Sequence, residues 1–432
     1  MSMNRSLHLA LTGPFGSGCT TLAEGVLQQD PYFFKMISLS SYVKQAWSER
    51  NGNKDPKLAK RSELQDMGNR LREENDDRSI LANKAVEEAK KTTNLSTDSL
   101  VFDSIRNLAE ADHLRQEYRD LYLVGMCSSE NDRWLRSQGK YKEKGLTDSD
   151  FKADEERDQN EDNPFGQQVA LCMHEADLSI ANDNEAMTAG VTITKHLEDK
   201  LQTYIELLKG TLRTPSEREW IMSLAHNTSL KSECFKRQVG AVIVDDRANI
   251  ISVGYNSNPK PLKPCWDDHG DCYRIIQIEK GLDELNHCPS CGKPLHEKKR
   301  HYNCPSCGKD LYKIMFPDRA MSLCTALHAE EMAILNASGR NLKGCLMYTT
   351  TFPCFTCAQK IVNVGIGKVV YVESYPDLHS VQLFDKLKDT EQRVTTIKFE
   401  GIKARAYDRL FGHWRQVTED QITIKKRKRT SG

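Results

Sequence analysis

The sequence lacks a long apolar run, and it lacks an excess of charge of either sign. No window approaches the roughly 18 consecutive apolar residues that a membrane helix needs. Pro14 and several glycines follow too soon after the start for a signal peptide. Basic and acidic residues number 61 each, so the chain as a whole does not attract nucleic acid or anionic membranes. We therefore expect a cytoplasmic protein without membrane contact, and its 432 residues suffice for two domains.

Cysteine, in contrast, is plentiful, with 14 residues. In a reducing compartment, cysteines that cluster in the sequence indicate metal ligands rather than disulfides. One cluster combines His328-Ala329-Glu330 with Pro353-Cys354-Phe355-Thr356-Cys357. One imidazole and two thiolates give zinc three protein ligands and leave its fourth position for water. This H-x-E…P-C-x-x-C pattern is the signature of zinc-dependent deaminases.

Glu330 decides between a catalytic and a structural zinc at this cluster. A structural site normally closes its fourth position with cysteine or histidine, whereas the nearest candidate here is an acid. Because it lies two residues from His328, Glu330 is placed to take a proton from water and pass it to a ring nitrogen. We expect His328, Cys354 and Cys357 to hold a catalytic zinc, with Glu330 as general acid and base. The alternative is a structural zinc or a set of reduced core cysteines.

Residues from about 214 to 374 resemble the cytidine and deoxycytidylate deaminase family. The segment RQVGAVIVDDRANIISVGYNSNP (237–259) is similar to the one that precedes the zinc helix of that family. The resemblance implies a mixed sheet with helices on both sides, homo-oligomers, and hydrolytic deamination of free deoxycytidine nucleotides, either dCMP or dCTP. It also implies that Asn256 binds the sugar hydroxyl and that Arg237 or the turn at Ser257-Asn258 approaches the 5′-phosphate.

A second cysteine set, CPSCGKPLHEKKRHYNCPSCGKDL (288–311), contains two C-x-x-C pairs that are each followed by glycine. Four thiolates close the coordination sphere of zinc, so this set predicts a structural zinc ribbon inserted at about 265–312. The predicted ligands are Cys288, Cys291, Cys304 and Cys307. The alternative is a finger that reads nucleic acid. Just upstream, Cys265, His269 and Cys272 either bind a further metal ion or are ordinary loop residues.

The first half contains a Gly-rich phosphate loop, LTGPFGSGCTT (11–21), in which Cys19 occupies the position of the usual lysine. The backbone N–H groups and the following helix N-terminus form a cradle for phosphate, and Thr20 or Thr21 is placed to hold Mg2+ with ATP or a dNTP. The lysine that neutralises charge during phosphoryl transfer is missing, so we expect binding to survive better than catalysis. A chance turn is the alternative. The predicted nucleotide-binding residues are Gly13, Gly16, Ser17, Gly18, Cys19, Thr20 and Thr21.

Strand-like and helix-like segments alternate up to about residue 210, which predicts a parallel sheet covered on both faces. Residues 102–136 resemble nucleoside monophosphate kinases and their relatives. That resemblance implies that Asp103 lies near magnesium and Arg106 near a substrate phosphate. It also places Arg133 and Arg136 in a lid helix, for which an ordinary solvated helix face is the alternative.

The predicted architecture is an α/β protein of two domains. A P-loop parallel-sheet domain of the nucleotide-kinase type spans 1–210. A cytidine-deaminase-like α/β/α domain with the zinc-ribbon insertion spans 211–415, and a basic tail spans 416–432. Within the first domain, FKADEERDQNEDNPFG (151–166) is too highly charged to be buried, so it predicts a mobile lid or an excursion.

Three hypotheses account for this combination. In the first, which we prefer because it explains Cys19, the P-loop domain senses a regulatory nucleotide and controls the deaminase. In the second, an active nucleotide kinase is fused to a housekeeping dCMP deaminase. In the third, the deaminase acts on polynucleotide, and the KKRKR segment of the tail contacts phosphates. The domain order also resembles the bacterial antiviral deoxycytidylate deaminases, which implies depletion of deoxycytidine nucleotides during phage infection and inhibition by a small RNA, a protein or a nucleotide until then.

Overall fold

The computed structural model describes most of the chain as two compact units. The first unit takes in the described residues up to Ser223, Tyr371 and Val372, and those from Ile397 onward. The second runs from Leu224 to Val370 and includes residues 378–396. The described residues are 6–159, 161, 163–183, 193–211, 213–295, 303–316, 323–372 and 378–412. The predicted basic tail lies outside them, as does the middle of the cysteine-ribbon loop.

Strands and helices alternate through most of the first unit, whereas the second unit begins its sheet with two consecutive strands. The strands are β1 (His8–Thr12), β2 (Lys35–Ser38), β3 (Leu100–Ile105), β4 (Leu121–Cys127), β5 (Leu178–Ala181), β6 (Gly240–Val244), β7 (Ile250–Tyr255), β8 (Leu346–Thr349), β9 (Lys368–Tyr371), β10 (Thr395–Lys398) and β11 (Gly401–Ile402). The helices are α1 (Cys19–Leu22), α2 (Leu39–Arg50), α3 (Arg61–Glu74), α4 (Ile80–Thr92), α5 (Leu108–Glu117), α6 (Glu130–Lys142), α7 (Asp148–Gln159), α8 (Val169–His174), α9 (Ile193–Leu208), α10 (Glu217–Ser229), α11 (Cys265–His269), α12 (Tyr273–Asp283), α13 (Leu311–Met315), α14 (Ala329–Asn336), α15 (Phe355–Asn363), α16 (Leu378–Lys386) and α17 (Ala404–Phe411). Among the described residues, no helix is both long enough and apolar enough to cross a bilayer.

The first unit is built on a sheet of order β11-β5-β4-β1-β3-β2. The pairs β2–β3, β3–β1, β1–β4 and β4–β5 are parallel, and β11 joins β5 antiparallel. Every residue of β1 and β4 is buried, as expected for central strands with helices on both faces. The predicted α/β fold with a P-loop parallel sheet is confirmed, and the phosphate loop leaves the central strand β1.

The last described segment of the chain returns to the first unit. Gly401 and Ile402 pair with β5, and the backbone N–H of Lys403 donates to Asp177 O at 2.8 Å. The buried ammonium group of Lys403 donates to the carbonyls of Met173 and His174, both at 2.6 Å, at the end of α8. The sequence assigned this segment to the second domain, 211–415, because nothing in a two-residue strand indicates its partner.

The prediction that residues 151–166 are too charged to be buried is wrong for α7. This helix buries Phe151, Glu155 and Asp158. Burial alone would raise the pKa of Asp158, but the charges of Arg61 and Arg106 outweigh it and hold that pKa below its usual value. Ion pairing with arginines distant in the sequence therefore makes burial of the acidic face possible.

The second unit contains a sheet of order β10-β9-β8-β6-β7, in which β6 is antiparallel to both β7 and β8. Helix α14 packs against β7 so closely that a Cβ added at Gly254 would lie 2.3 Å from Ala329 O and from Ala333 N. Glycine at this position is therefore required to bring the first turn of α14 against the sheet. The α/β fold implied by the family resemblance is confirmed.

A buried ion pair fixes the chain where β3 leads into α5. Arg72 and Glu110 are 1% and 0% exposed, with 2.7 Å between Arg72 Nη2 and Glu110 Oε1. The other oxygen, Glu110 Oε2, accepts the backbone N–H of Arg106 at 2.9 Å and that of Asn107 at 3.1 Å. The pair therefore holds the backbone of Arg106 in place.

We predict that Arg72→Met lowers the free energy of unfolding by about 3–5 kcal/mol, because the carboxylate of Glu110 remains buried without its cation. Urea unfolding followed by circular dichroism measures the change. Arg50→Met is the matched control, since Arg50 pairs with Glu74 on the surface and its removal leaves no buried charge. Equal, small effects of the two substitutions would contradict the prediction.

Candidate active site and phosphate loop

The three predicted ligands of the catalytic zinc lie together in the second unit. His328 is the N-cap of α14, Cys354 is the N-cap of α15, and Cys357 follows in the first turn of α15. His328 Nδ1 is 3.2 Å from Cys354 Sγ and 3.3 Å from Cys357 Sγ. Nitrogen and sulfur ligands of one tetrahedral zinc are about 3.5 Å apart, so this donor set fits zinc.

The electrostatic environment favours a thiolate at Cys354. Hydrogen bonding with Cys357 lowers the pKa of Cys354 to about 3, and His328 contributes in the same direction. The pKa of Cys357 is raised, first because of the same hydrogen bond and then because of burial. Both cysteines lie at the start of a helix, where free N–H groups favour negative charge. Cys354 is therefore prepared to bind a cation as a thiolate.

Glu330 lies beside this cluster and is 3% exposed. Burial raises the pKa of its carboxyl group. The hydroxyl of Thr349, at the end of β8, donates to Glu330 Oε1 at 3.3 Å and so orients the carboxylate. Sequence reasoning missed Thr349, because no local motif links the end of a strand to a helix residue that precedes it in the chain.

The predicted substrate-binding residues lie on the segment before the zinc ligands. Ser257 forms a two-way backbone bridge with Leu327, the neighbour of His328, which brings this segment to the ligand cluster. The side chain of Asn256 is buried, accepts from Val239 N at 2.8 Å and donates to Arg237 O at 2.9 Å. Asn256 thus positions the backbone around Arg237, whose side chain is exposed.

The four cysteines of the ribbon form a second ligand cluster. Cys288 Sγ and Cys307 Sγ are 3.8 Å apart, as are Cys291 Sγ and Cys304 Sγ. Sulfurs bound to one tetrahedral zinc at ~2.3 Å are separated by about 3.8 Å, so this site also fits the ion. Among the described residues, Cys265, His269 and Cys272 do not form such a cluster.

The phosphate loop has the backbone that its glycines predict. Gly16 and Gly18 adopt φ of 80° and 104°, and a Cβ at Gly18 would lie 2.4 Å from Asn182 Nδ2. Burial, and then the charge of Asp103, raise the pKa of the Cys19 thiol to about 12, so this side chain is neutral where a lysine would be charged. The loop is therefore shaped for phosphate without its own cation.

Thr20 and Asp103 form a candidate site for a divalent cation. Thr20 Oγ1 donates to Asp103 Oδ2 at 3.0 Å, and Asp103 is 1% exposed. Its second oxygen, Oδ1, is buried and has no hydrogen-bond partner among the described residues. A hydroxyl and a carboxylate beside a phosphate loop are ligands that Mg2+ uses, so the predicted pair fits this ion.

Three arginines donate to carbonyls of the loop. Arg106 Nη1 is 3.0 Å from Gly13 O, Arg133 Nη1 is 3.4 Å from Phe15 O, and Arg136 Nη1 is 3.3 Å from Gly16 O. Arg133 and Arg136 on α6 thus contact the loop, and their alternative as a solvated helix face does not hold.

A cavity of about 680 Å³ lies beside the loop in the first unit, a volume in the range of ligand pockets. Its lining contains eight basic side chains and one acidic one, Glu143, although the chain as a whole has no net charge. The basic residues are Lys44, Lys57, Arg61, Arg72, Arg106, Arg136, Lys140 and Lys144. This cavity is suited to a polyanion.

Comparisons with known proteins concern mainly the second unit. The family model of the cytidine and deoxycytidylate deaminase zinc-binding region matches residues 215–373. The deoxycytidylate deaminase of Schizosaccharomyces pombe is 34% identical over 212 residues, which are 48% of this chain and 51% of that protein. The deoxycytidylate deaminase of Enterobacteria phage T4 is 32% identical over 157 residues, which are 36% of this chain and 77% of that protein. A match to a solved dCMP deaminase from the cyanophage S-TIM5 has 18% identity and a TM-score of 0.26, and it covers 43% of this chain and 100% of that chain.

This chain spans about half the length of the yeast relatives that it matches. It covers more than two thirds of the phage enzyme at 32% identity. The matched region also contains His328, Cys354 and Cys357, which form the ligand cluster, and the buried Glu330 beside it. The chain therefore belongs to the deoxycytidylate deaminase family.

Proposed function

We propose that this protein catalyses the hydrolytic deamination of free deoxycytidine nucleotides, dCMP, dCTP or both, to the corresponding deoxyuridine nucleotides. The observation that carries the proposal is the cluster of three zinc ligands with the buried carboxylate of Glu330 beside it. Three protein ligands leave one position for water, whereas the ribbon site has four cysteines and is closed. The first cluster is therefore the catalytic one and the ribbon is structural.

His328, Cys354 and Cys357 would hold a zinc ion, which would supply Lewis-acid activation of the attacking water. Glu330 accepts a proton from that water and delivers it to the ring nitrogen as oxygen adds to the carbon that bears the amino group. The same carboxylate then takes the proton of the added hydroxyl group and delivers it to the amino group, which leaves as ammonia as the carbonyl forms. Thr349 holds the carboxylate in one orientation through its hydroxyl. The segment Asn256–Ser257, anchored to Leu327, is the proposed contact for the sugar and the phosphate.

We further propose that the first unit binds a regulatory nucleotide, with Mg2+ at Thr20 and Asp103, and transfers no phosphate. The neutral thiol of Cys19 supports this, because a sensor needs to bind phosphates and shift a conformational equilibrium without cleaving them. Control of the deaminase by nucleotide levels is the expected consequence, and depletion of deoxycytidine nucleotides during phage infection is the proposed biological role. The same proposal includes a small RNA or a protein that inhibits the deaminase until infection.

Self-association is also proposed. Leu335 on α14 and Phe355 on α15 are 60% and 41% exposed, and the two helices are joined by the ion pair Lys360–Glu331. Burial of such apolar side chains between copies of the chain would favour an oligomer.

We predict that Glu330→Gln lowers the rate of dCMP and dCTP deamination by about 10²–10⁴-fold, because proton transfer is lost. Zinc content should be unchanged, since the three ligands remain. The products are identified by mass spectrometry, with a cytosine oligonucleotide offered in parallel. Glu331→Gln is the matched control, because Glu331 pairs with Lys360 on the surface. Editing of the oligonucleotide without conversion of either free nucleotide would contradict the proposed substrate class.

For the ribbon, we predict two zinc ions per chain in the unmodified protein and one in Cys304→Ser, because a closed site loses its ion when one of four thiolates is removed. Inductively coupled plasma mass spectrometry measures the ratio. Cys345→Ser, a buried cysteine outside both clusters, should retain both ions. Two ions in Cys304→Ser would disprove the structural zinc.

For the phosphate loop, we predict that Cys19→Lys alters the nucleotide concentration at which deamination changes and does not create a kinase. A lysine adds charge for binding, whereas transfer also requires an acceptor and an aligned geometry. Deamination of dCMP is followed at increasing dTTP or ATP, and labelled ATP reports phosphoryl transfer. Robust phosphoryl transfer by the unmodified protein would overturn the sensor.

A further inference from the structure

The phosphate loop that borders the basic cavity of the first unit lacks the positive charge that such loops normally carry. The loop has the backbone of a nucleotide-binding loop, yet Cys19 provides no charge where the phosphates would need one. A site that binds a polyanion must obtain this charge from other residues that reach the loop. The candidates are the basic side chains that line the cavity.

Arg106 is the cation best placed to act on the loop. It follows β3, and its Nη1 donates to Gly13 O, the start of the loop, at 3.0 Å. Its charge also acts on the Cys19 thiol, since Arg106 is among the groups that shift the pKa of that thiol. The backbone N–H of Arg106 donates to the buried carboxylate of Glu110, which fixes the position from which the Arg106 side chain extends.

A second guanidinium group is joined to Arg106 by one carboxylate. Asp158 Oδ2 accepts from Arg106 Nη1 at 2.9 Å and from Arg61 Nη2 at 2.8 Å. Arg61 Cζ lies 4.6 Å from the centre of the Phe15 ring, which belongs to the loop. Asp158 is fully buried, whereas Arg61 and Arg106 both line the cavity. Two guanidinium groups and one carboxylate leave a single net positive charge, which is the charge of the missing lysine.

Two buried atoms of this cluster lack a hydrogen-bond partner among the described residues. They are Arg61 Nε, which is a donor, and Gln65 Oε1, which is an acceptor. The amide nitrogen of Gln65 already donates to Asp158 Oδ1 at 2.8 Å and to Asp154 O at 3.0 Å, so its oxygen cannot be exchanged for the nitrogen without losing both bonds. A buried donor without an acceptor is costly, and a phosphate oxygen satisfies a guanidinium donor well.

We propose that Arg106 and Arg61, positioned by Asp158, replace the lysine that the loop lacks at Cys19 and bind the phosphates of a nucleoside triphosphate against the loop. This inference rests on the proposed nucleotide-binding role of the first unit. The inference places the phosphate groups of the nucleotide between the loop and the two guanidinium groups. It also makes α7 part of the binding site, because Asp158 holds both arginines from that helix.

The test removes the positive charge at Arg106 or Arg61 and restores a positive charge at position 19, with all variants made in the whole chain. Isothermal titration calorimetry measures the binding of ATP and of dTTP in the presence of Mg2+. Arg106→Gln and Arg61→Gln are each expected to weaken binding by about 10–100-fold, the loss typical of a charge-assisted hydrogen bond. The double variant Cys19→Lys with Arg106→Gln is expected to recover most of the lost affinity, because the charge returns to the position it has in ordinary phosphate loops.

The control is Arg157→Gln, which removes an arginine from the same helix, α7, where it pairs with Asp66 away from the cavity lining. Its affinity for both nucleotides should equal that of the unmodified protein. Recovery in the double variant supports the inference, since a folding defect caused by Arg106→Gln would not be repaired by a lysine at position 19.

Three results would overturn the inference, and they differ in whether the proposed nucleotide sensor also fails. If the unmodified protein binds neither nucleotide, the proposed sensor fails together with the inference. If the unmodified protein binds but Arg106→Gln and Arg61→Gln bind equally well, only the inference fails. If Arg106→Gln loses affinity and Cys19→Lys does not restore it, Arg106 supports the loop structurally and does not replace the lysine.

Discussion

A charge that is buried away from water needs a partner of opposite sign, and this constraint explains how the buried charged groups of both units are arranged. The buried charges of the first unit include the carboxylates of Glu110 and Asp158, which are paired with arginines. In the second unit the candidate zinc ligands include the thiolate of Cys354, whose partner would be a bound cation. The same requirement therefore produces a rigid ion-pair network in one unit and a metal site in the other.

The ion pairs of the first unit form a connected series that ends at the phosphate loop. Arg72 neutralises Glu110, Glu110 fixes the backbone of Arg106, and the Arg106 side chain reaches Gly13. Asp158 joins this series to α7. Because Arg72, Glu110 and Asp158 are buried, displacement of one member of the series is opposed by the cost of leaving a buried charge unpaired. A ligand that replaces one of these contacts would act on α3, α7 and the loop together.

The candidate residues that the sequence places together are those for which local spacing and chemistry coincide. The zinc ligands lie within a few residues of two helix starts, and the phosphate loop is one continuous turn. The parts that it missed depend on residues far apart in the chain. Asp158 is 97 residues from Arg61 and 52 from Arg106, so the acidic helix was interpreted as solvated when its partners could not be known. Thr349 and the two-residue strand β11 carry no pattern of their own, and only the folded chain shows what they contact.

The return of the C-terminal segment to the first sheet has a consequence for synthesis on the ribosome. Strand β11 occupies the edge of a sheet whose other strands are complete by Ala181, and the entire second unit is translated between them. The nascent first unit therefore has an open strand edge until residues 401–411 emerge, and an open edge is prone to pairing with other chains.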